Sequence, residues 1–299
     1  MKLTTSFPIL AMTTAAALAH LRDVSPVYFF TFGDSYSMTS FDTSGVQPSA
    51  SNPMGNPTLG QGTTTGGLNW IEYLTTECNK TLVLTYDLAV GGATIDNDIV
   101  SNPGYDDDVV YQVGVFDSVY KDSPSDAPWT SSDAVFGFWI GVNDAGNSYW
   151  NSDPENITSA LANEYESLVE QIYTDGGRKF LFLNVPSIQE SPFWESQGTT
   201  VVQELANYLT VFNGAIKNMT SNFQQKYSDA TVVFYDSFTL MTAILASPTK
   251  YGYPNDTAAS CYNSDGSTCV WWNSLHPGYK FHQLMAEELA PQISSFGGW

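Results

Sequence analysis

The chain has 299 residues, 42% of them hydrophobic and 14% aromatic, which is ample material for one large buried core. Its 31 acidic side chains against 10 basic ones leave a formal charge of −21. That balance excludes nucleic acid as a partner, because phosphate binding needs clustered Lys and Arg, and it disfavours stable association with anionic membranes.

The chain opens with Met1-Lys2 and an apolar stretch ending Ala17-Leu18-Ala19. A basic start, a short apolar centre and a small-x-small end read as a secretory signal over residues 1–19. The mature domain is then 20–299, a single unit without an internal repeat or linker, secreted and extracellular. No later stretch approaches the ~20 apolar residues of a membrane span.

Behind the leader, residues 27–32 form a run of β-branched and aromatic side chains that stops at Gly33-Asp34-Ser35-Tyr36. This pattern predicts a buried strand ending in a tight turn. Ser35 then stands at the carboxyl end of a strand, where open α/β sheets place their sites. Residues 40–67 are rich in Ser, Thr, Gly, Pro and Asn and lack periodicity. So long a loop inside a domain is usually functional, and it is expected to wall the site.

Helical spacing follows over residues 68–74, then a strand over 82–88 that runs into Gly91-Gly92. Asp106-Asp107-Asp108 reads as a solvated loop and not as a metal site, because consecutive acids point in different directions. A strand over 134–140 leads to Gly141-Val142-Asn143-Asp144. Residues 158–173 carry the apolar stripe of an amphipathic helix, capped by Asn156 or Thr158. A strand over 180–184, a long helix within 201–227 and a strand over 231–235 complete the alternation. Strands alternating with helices predict βαβ units around a central parallel sheet of about five strands.

Three cysteines are present. Cys261 and Cys269 lie close together in a polar loop and are expected to form a disulfide, leaving Cys78 buried or free. Asn79, Asn156, Asn218 and Asn255 fit the glycosylation acceptor pattern.

A serine nucleophile needs a base. His20 lies at the cleavage junction, and His282 lies about one and a half turns into the helical segment 278–289 and should face elsewhere, which leaves His276 of Trp271-Trp272-Asn273-Ser274-Leu275-His276-Pro277. A tetrahedral intermediate also needs donors for its oxygen. The glycine pair after the second strand and Asn143 after the third are in position to supply them.

Together and in this order, these segments resemble the blocks of the GDSL hydrolases, also called the SGNH family. The resemblance implies a three-layer α/β/α sandwich of the flavodoxin-like kind. It assigns Ser35 as nucleophile, His276 as base, and the Ser35 and Gly92 amides with the Asn143 side chain as the oxyanion hole. More narrowly, Phe32 to Ser37, Asp87 to Thr94 and Gly141 to Asn147 resemble secreted fungal acetyl esterases of carbohydrate esterase family sixteen. That implies short acyl esters on sugars, acting as a monomer without metal or cofactor, with Tyr36, Asn147 and Trp271 as candidate substrate contacts and Tyr149, Trp150 and Trp272 as further aromatics near the blocks.

One position departs from the pattern. The family places Asp three residues before the histidine, and this chain has Asn273. The side-chain or main-chain oxygen of Asn273 is expected to accept the His276 Nδ1 proton, and without a neighbouring carboxylate His276 should titrate lower than in an Asp-containing relative. The competing readings are a lipase or phospholipase on the same fold and a carbohydrate-binding pseudoenzyme in which Asn273 marks lost catalysis.

Overall fold

The computed structural model describes residues 26–299, so the signal expected over 1–19 and His20 lie outside the described residues. The elements run β1 (Val27–Gly33), α1 (Trp70–Thr76), β2 (Val83–Asp87), α2 (Val109–Val119), β3 (Ala134–Trp139), α3 (Val142–Gly146), α4 (Pro154–Thr174) and β4 (Lys179–Leu183). They continue with α5 (Pro192–Ser196), α6 (Thr199–Lys226), β5 (Thr231–Tyr235), α7 (Ser237–Ala246) and α8 (Tyr279–Ile293). All five strands pair in parallel in the order β2-β1-β3-β4-β5.

That order fixes the layers. Parallel crossovers are right-handed, so the leftward step from β1 to β2 puts α1 on one face, and the rightward steps put α2, α4 and α6 on the other. Helix α8 then packs on α1, while α4 packs between α2 and α6. The result is the expected three-layer sandwich.

The sheet is buried on both faces, so its strands read as continuous apolar runs without alternation. On the α2/α4/α6 face, Phe32, Phe138 and Phe182 stack across three strands at 4.6 and 5.7 Å. Phe30, Phe136 and Phe180 repeat this one step along at 5.4 and 5.8 Å. On the opposite face Phe29 packs edge-on against Trp70 of α1 and Trp299 at the C-terminus.

The strand positions agree with the sequence reading to within a residue or so, but the helices agree less well. Helix α4 starts earlier than expected: Asp153 caps it and Pro154 takes the first turn, whereas Thr158 is buried inside it with its hydroxyl bonded to the Pro154 carbonyl. Proline suits that first turn because its missing N–H would be unpaired anyway. Helices α2, α3, α5 and α7 have no clear periodic signal. In α2 exposed Val110, Tyr111 and Val119 blur any stripe, and α7 is apolar nearly all round. The Asp106–Asp108 run is a loop only in part, since Asp108 is the α2 N-cap and accepts from the Tyr111 and Asn97 amides.

Cys261 and Cys269 are disulfide-bonded, and Cys78 is free and half-buried. Of the four acceptor asparagines, Asn156, Asn218 and Asn255 are exposed and Asn79 is half-buried. Among the described residues no helix is long and apolar enough to cross a membrane.

Candidate active site

The strand order is what assembles the site. Chain order 1-2-3 becomes spatial order 2-1-3, so the loop after β1 lies between the loops after β2 and β3. Ser35 therefore sits at the topological switch point of the sheet, where adjacent crossovers diverge and leave a crevice. The Gly91-Gly92 turn lies on one side of it and Asn143 on the other.

Ser35 is held from both directions. The Gly33 peptide in front of it is clamped by Gln112 of α2, which accepts from Gly33 N and donates to Gly33 O, each at 2.8 Å. Behind it, Thr64 Oγ1 donates to the Ser35 carbonyl at 2.6 Å. Thr64 belongs to the loop 40–67, whose Gly66 also lies against Trp272. The same loop contributes Phe41, Asp42 and Thr43 to a cavity of about 320 Å³ completed by Ala89 and Val90. The loop thus walls the crevice on the β2 side.

Ser35 Oγ lies 2.8 Å from His276 Nε2, and His276 Nδ1 lies 3.0 Å from Asn273 Oδ1. The same oxygen accepts from the main-chain N–H groups of Leu275 and His276, each at 2.8 Å. Main-chain N–H groups only donate, so the atom facing them is the carboxamide oxygen and not its nitrogen. His276 Nδ1 must then carry the proton, and the Nε2 lone pair faces the serine hydroxyl. Of the two oxygens considered for this role, the side-chain one makes the contact.

Burial lowers the pKa of His276 to about 4. The direction matches the expectation from the missing carboxylate, but its cause is desolvation of the imidazolium. His282 faces away from Ser35, as the helical spacing predicts, and points into the packing between α1 and the sheet. It is fully buried, its ring is 5.9 Å from Trp139, and its Nδ1 accepts from Trp70 N at 3.3 Å. Burial, with the charge of His276 as a second cause, brings it down to about 3.

The Gly92 turn is tied down by three side chains. Asn143 Nδ2 donates to Ala93 O at 2.8 Å, Asn102 Nδ2 donates to Gly92 O at 2.7 Å, and the Asp144 carboxylate accepts from Ile95 N at 3.0 Å. Gly92 has φ +84°, and a Cβ there would meet the Tyr105 ring at 2.1 Å, so only glycine fits. Among the described residues the Ser35 and Gly92 amides donate to no protein group. The Gly91 N–H, by contrast, is directed at Met38 Sδ, which makes Gly92 the available donor of the pair.

Burial also raises three aspartates around these loops, Asp34 and Asp144 to about 7 and Asp87 to about 6. Asp34 accepts from the Tyr36 amide, and Asp87 from Thr31, Thr39 and Ala89.

Two of the expected substrate contacts are corrected by their burial. Tyr36 is 2% exposed; its hydroxyl donates to the Leu275 carbonyl and its ring packs 5.5 Å from His276. Trp271 is 0% exposed, and its indole donates to Ala259 O. Both position the histidine loop and show no face to solvent. Asn147, half-buried at the end of α3, donates to Asn143 O. Gln112, Thr64, Asn102 and Tyr105 were missed, because each is brought in by a loop or helix without a sequence signal of its own. No cluster of potential metal ligands occurs among the described residues.

A hydrogen-bonded serine, histidine and asparagine at the switch point of a doubly wound sheet, beside the Ser35 and Gly92 amides that donate to no described protein group, is the constellation of a serine acylhydrolase. The chain belongs to the GDSL-like lipase/acylhydrolase family, whose model matches residues 29–289, and it is a carboxylic ester hydrolase. It is 39% identical over 294 residues to an acetylesterase from Thermothelomyces thermophilus, covering 96% of this chain and 95% of that one. It is 25% identical over 318 residues to an acetylesterase from Hypocrea jecorina, covering 89% and 88%. The fold is similar to that of an acetylxylan esterase from Geobacillus stearothermophilus, with a TM-score of 0.52 at 11% identity over 91% of this chain and 95% of that one.

Proposed function

We propose that the protein is a secreted esterase that removes acetyl groups from plant-polysaccharide oligosaccharides through an acyl-enzyme on Ser35. The carrying observation is the hydrogen-bonded chain from Ser35 through His276 to Asn273. In the first half-reaction Ser35 Oγ attacks the acetyl carbonyl carbon while His276 Nε2 takes its proton. The C–O bond to the sugar then breaks, and His276 returns the proton to the departing sugar hydroxyl. In the second half-reaction water, giving a proton to the same nitrogen, attacks the acetyl-serine carbonyl; the C–Oγ bond then breaks, His276 returns the proton to Ser35 Oγ, and acetate leaves.

Each tetrahedral intermediate places its oxyanion between the Ser35 and Gly92 amides and the Asn143 side chain. Removing one such donor costs about 10² to 10³ in turnover. In chymotrypsin, Asp to Asn in the relay costs roughly 10⁴ because the wrong tautomer is held. Here two main-chain N–H groups already fix the Asn273 oxygen toward Nδ1, so that loss does not apply. Acetyl specificity draws support from the fungal acetylesterase relatives.

An organophosphonate should label the protein stoichiometrically at Ser35, and Ser35→Ala should abolish both labelling and hydrolysis of p-nitrophenyl acetate. Folded protein that resists labelling would instead support a carbohydrate-binding pseudoenzyme. Faster cleavage of long-chain than of acetyl p-nitrophenyl esters would support a lipase.

A further inference from the structure

Four aromatic side chains outside the relay line up beside it. Phe193, Trp194, Tyr149 and Trp150 meet edge to face in that order, with ring centroids 5.0, 5.4 and 4.9 Å apart. The strip is continuous with the site at two points. Phe193 N donates to Ser274 O at 2.9 Å, between Asn273 and His276. A Cβ on Gly146 would lie 3.3 Å from the Trp194 ring, so the strip also packs on α3, the helix that carries Asn143. Trp150 lies four residues beyond the end of α3.

Core packing does not account for the ends of this strip. Trp194 and Tyr149 are half-buried, but Phe193 is 37% and Trp150 62% exposed. An edge-to-face ladder also turns successive ring faces in different directions, so an outer ring keeps a face free. Aromatic faces carry negative partial charge, which suits cations or the weakly positive C–H faces of pyranose rings. The cation–π contacts of the described residues involve Tyr173, Tyr227 and Tyr253 instead. A net charge of −21 repels anionic ligands.

We infer that the strip from Phe193 to Trp150 binds the sugar chain of the substrate, a neutral oligosaccharide extending from the acetylated residue along α3, with Trp150 as its outer stacking platform. This rests on the esterase reading above, but its test does not depend on turnover. Xylohexaose, mannohexaose and cellohexaose, all unacetylated, are titrated calorimetrically into the wild-type protein and into the Trp150→Ala and Trp150→Tyr variants. At least one hexasaccharide should bind the wild type, and Trp150→Ala should weaken it roughly three- to tenfold, the equivalent of one aromatic contact, with Trp150→Tyr restoring most of the loss. Hydrolysis of p-nitrophenyl acetate should be unchanged in both variants, whereas kcat/KM on acetylated xylo-oligosaccharides should fall more for longer chains in Trp150→Ala. Failure of all three sugars to bind, equal affinity in Trp150→Ala, or an equal fall on both substrates would overturn the assignment. Loss of phosphonate labelling at Ser35 with sugar binding intact would overturn the esterase reading and leave the strip standing.

Discussion

Asn273 sets the His276 tautomer without carrying a charge. Two main-chain donors hold its oxygen, and that oxygen in turn holds the His276 proton on Nδ1. The tautomer is therefore set without a carboxylate, and the base, lowered to about 4 by burial, is mostly neutral above that value. The acidic limb of kcat/KM should accordingly fall near pH 4 and not near the ordinary histidine value of ~6.5. In Asn273→Asp a negative charge beside the ring favours the imidazolium, so the limb should move up by roughly one unit or more. A pH–rate profile of the two proteins on p-nitrophenyl acetate checks this, and an unmoved or lowered limb would refute the role given to Asn273. This position was readable as an anomaly from the sequence alone. Whether it supports the right tautomer was not, because that depends on amides from the turn it belongs to.

At the level of elements, the site is a set of three turns held in register by side chains from other segments. The Gly92 turn depends on α3 through Asn143 and Asp144. Asp144→Asn should therefore loosen the oxyanion side without touching the relay, and kcat should fall about tenfold or more while phosphonate labelling of Ser35 is slowed and not abolished. Wild-type kcat in the folded variant would remove Asp144 from this role. The histidine turn is braced separately. Val270, next to Cys269, bonds to the Ala258 carbonyl and accepts from Gly278, so the 261–269 disulfide stiffens the segment leading into His276. For a sequence separation of 8, chain entropy gives a stabilisation of about 2.5 kcal/mol. Cys261→Ser with Cys269→Ser should lower Tm by several degrees and open the loop 256–269 to protease at temperatures where the wild type resists. An unchanged Tm and cleavage pattern would mean that packing alone holds the turn.

Taken as a whole, the molecule carries opposing sets of buried titratable groups. Asp34, Asp144 and Glu72 are raised to about 7 and Asp87 to about 6. These carboxyls bind protons more tightly folded than unfolded, so their contribution to stability is fully present below the unfolded carboxylate range and is lost as pH rises through 6 to 7. His276 and His282, lowered to about 4 and about 3, act the other way: their contribution is present above ~6.5 and is lost as pH falls. Four carboxyls outweigh two imidazoles, so folding takes up protons between about pH 5 and 7. Weaker self-repulsion of the acidic surface adds to this at lower pH. Tm should therefore be higher at pH 5 than at pH 7.5. A thermal scan showing the reverse order would mean that the histidines dominate.

The five strands are legible in the sequence because a strand buried on both faces is a continuous apolar run, a local signal; the sandwich and the roles expected of Ser35, Gly92, Asn143 and His276 follow from the resemblance of their segments to a family. Packing between distant segments is what lets Gln112 clamp the turn before Ser35 from 79 positions away and Thr64 close it from behind, and what turns Tyr36 and Trp271 inward while Trp150 faces out. The inversion of β2 and β1 in the sheet brings distant loops together, and burial is a property of that packing, which no single segment encodes.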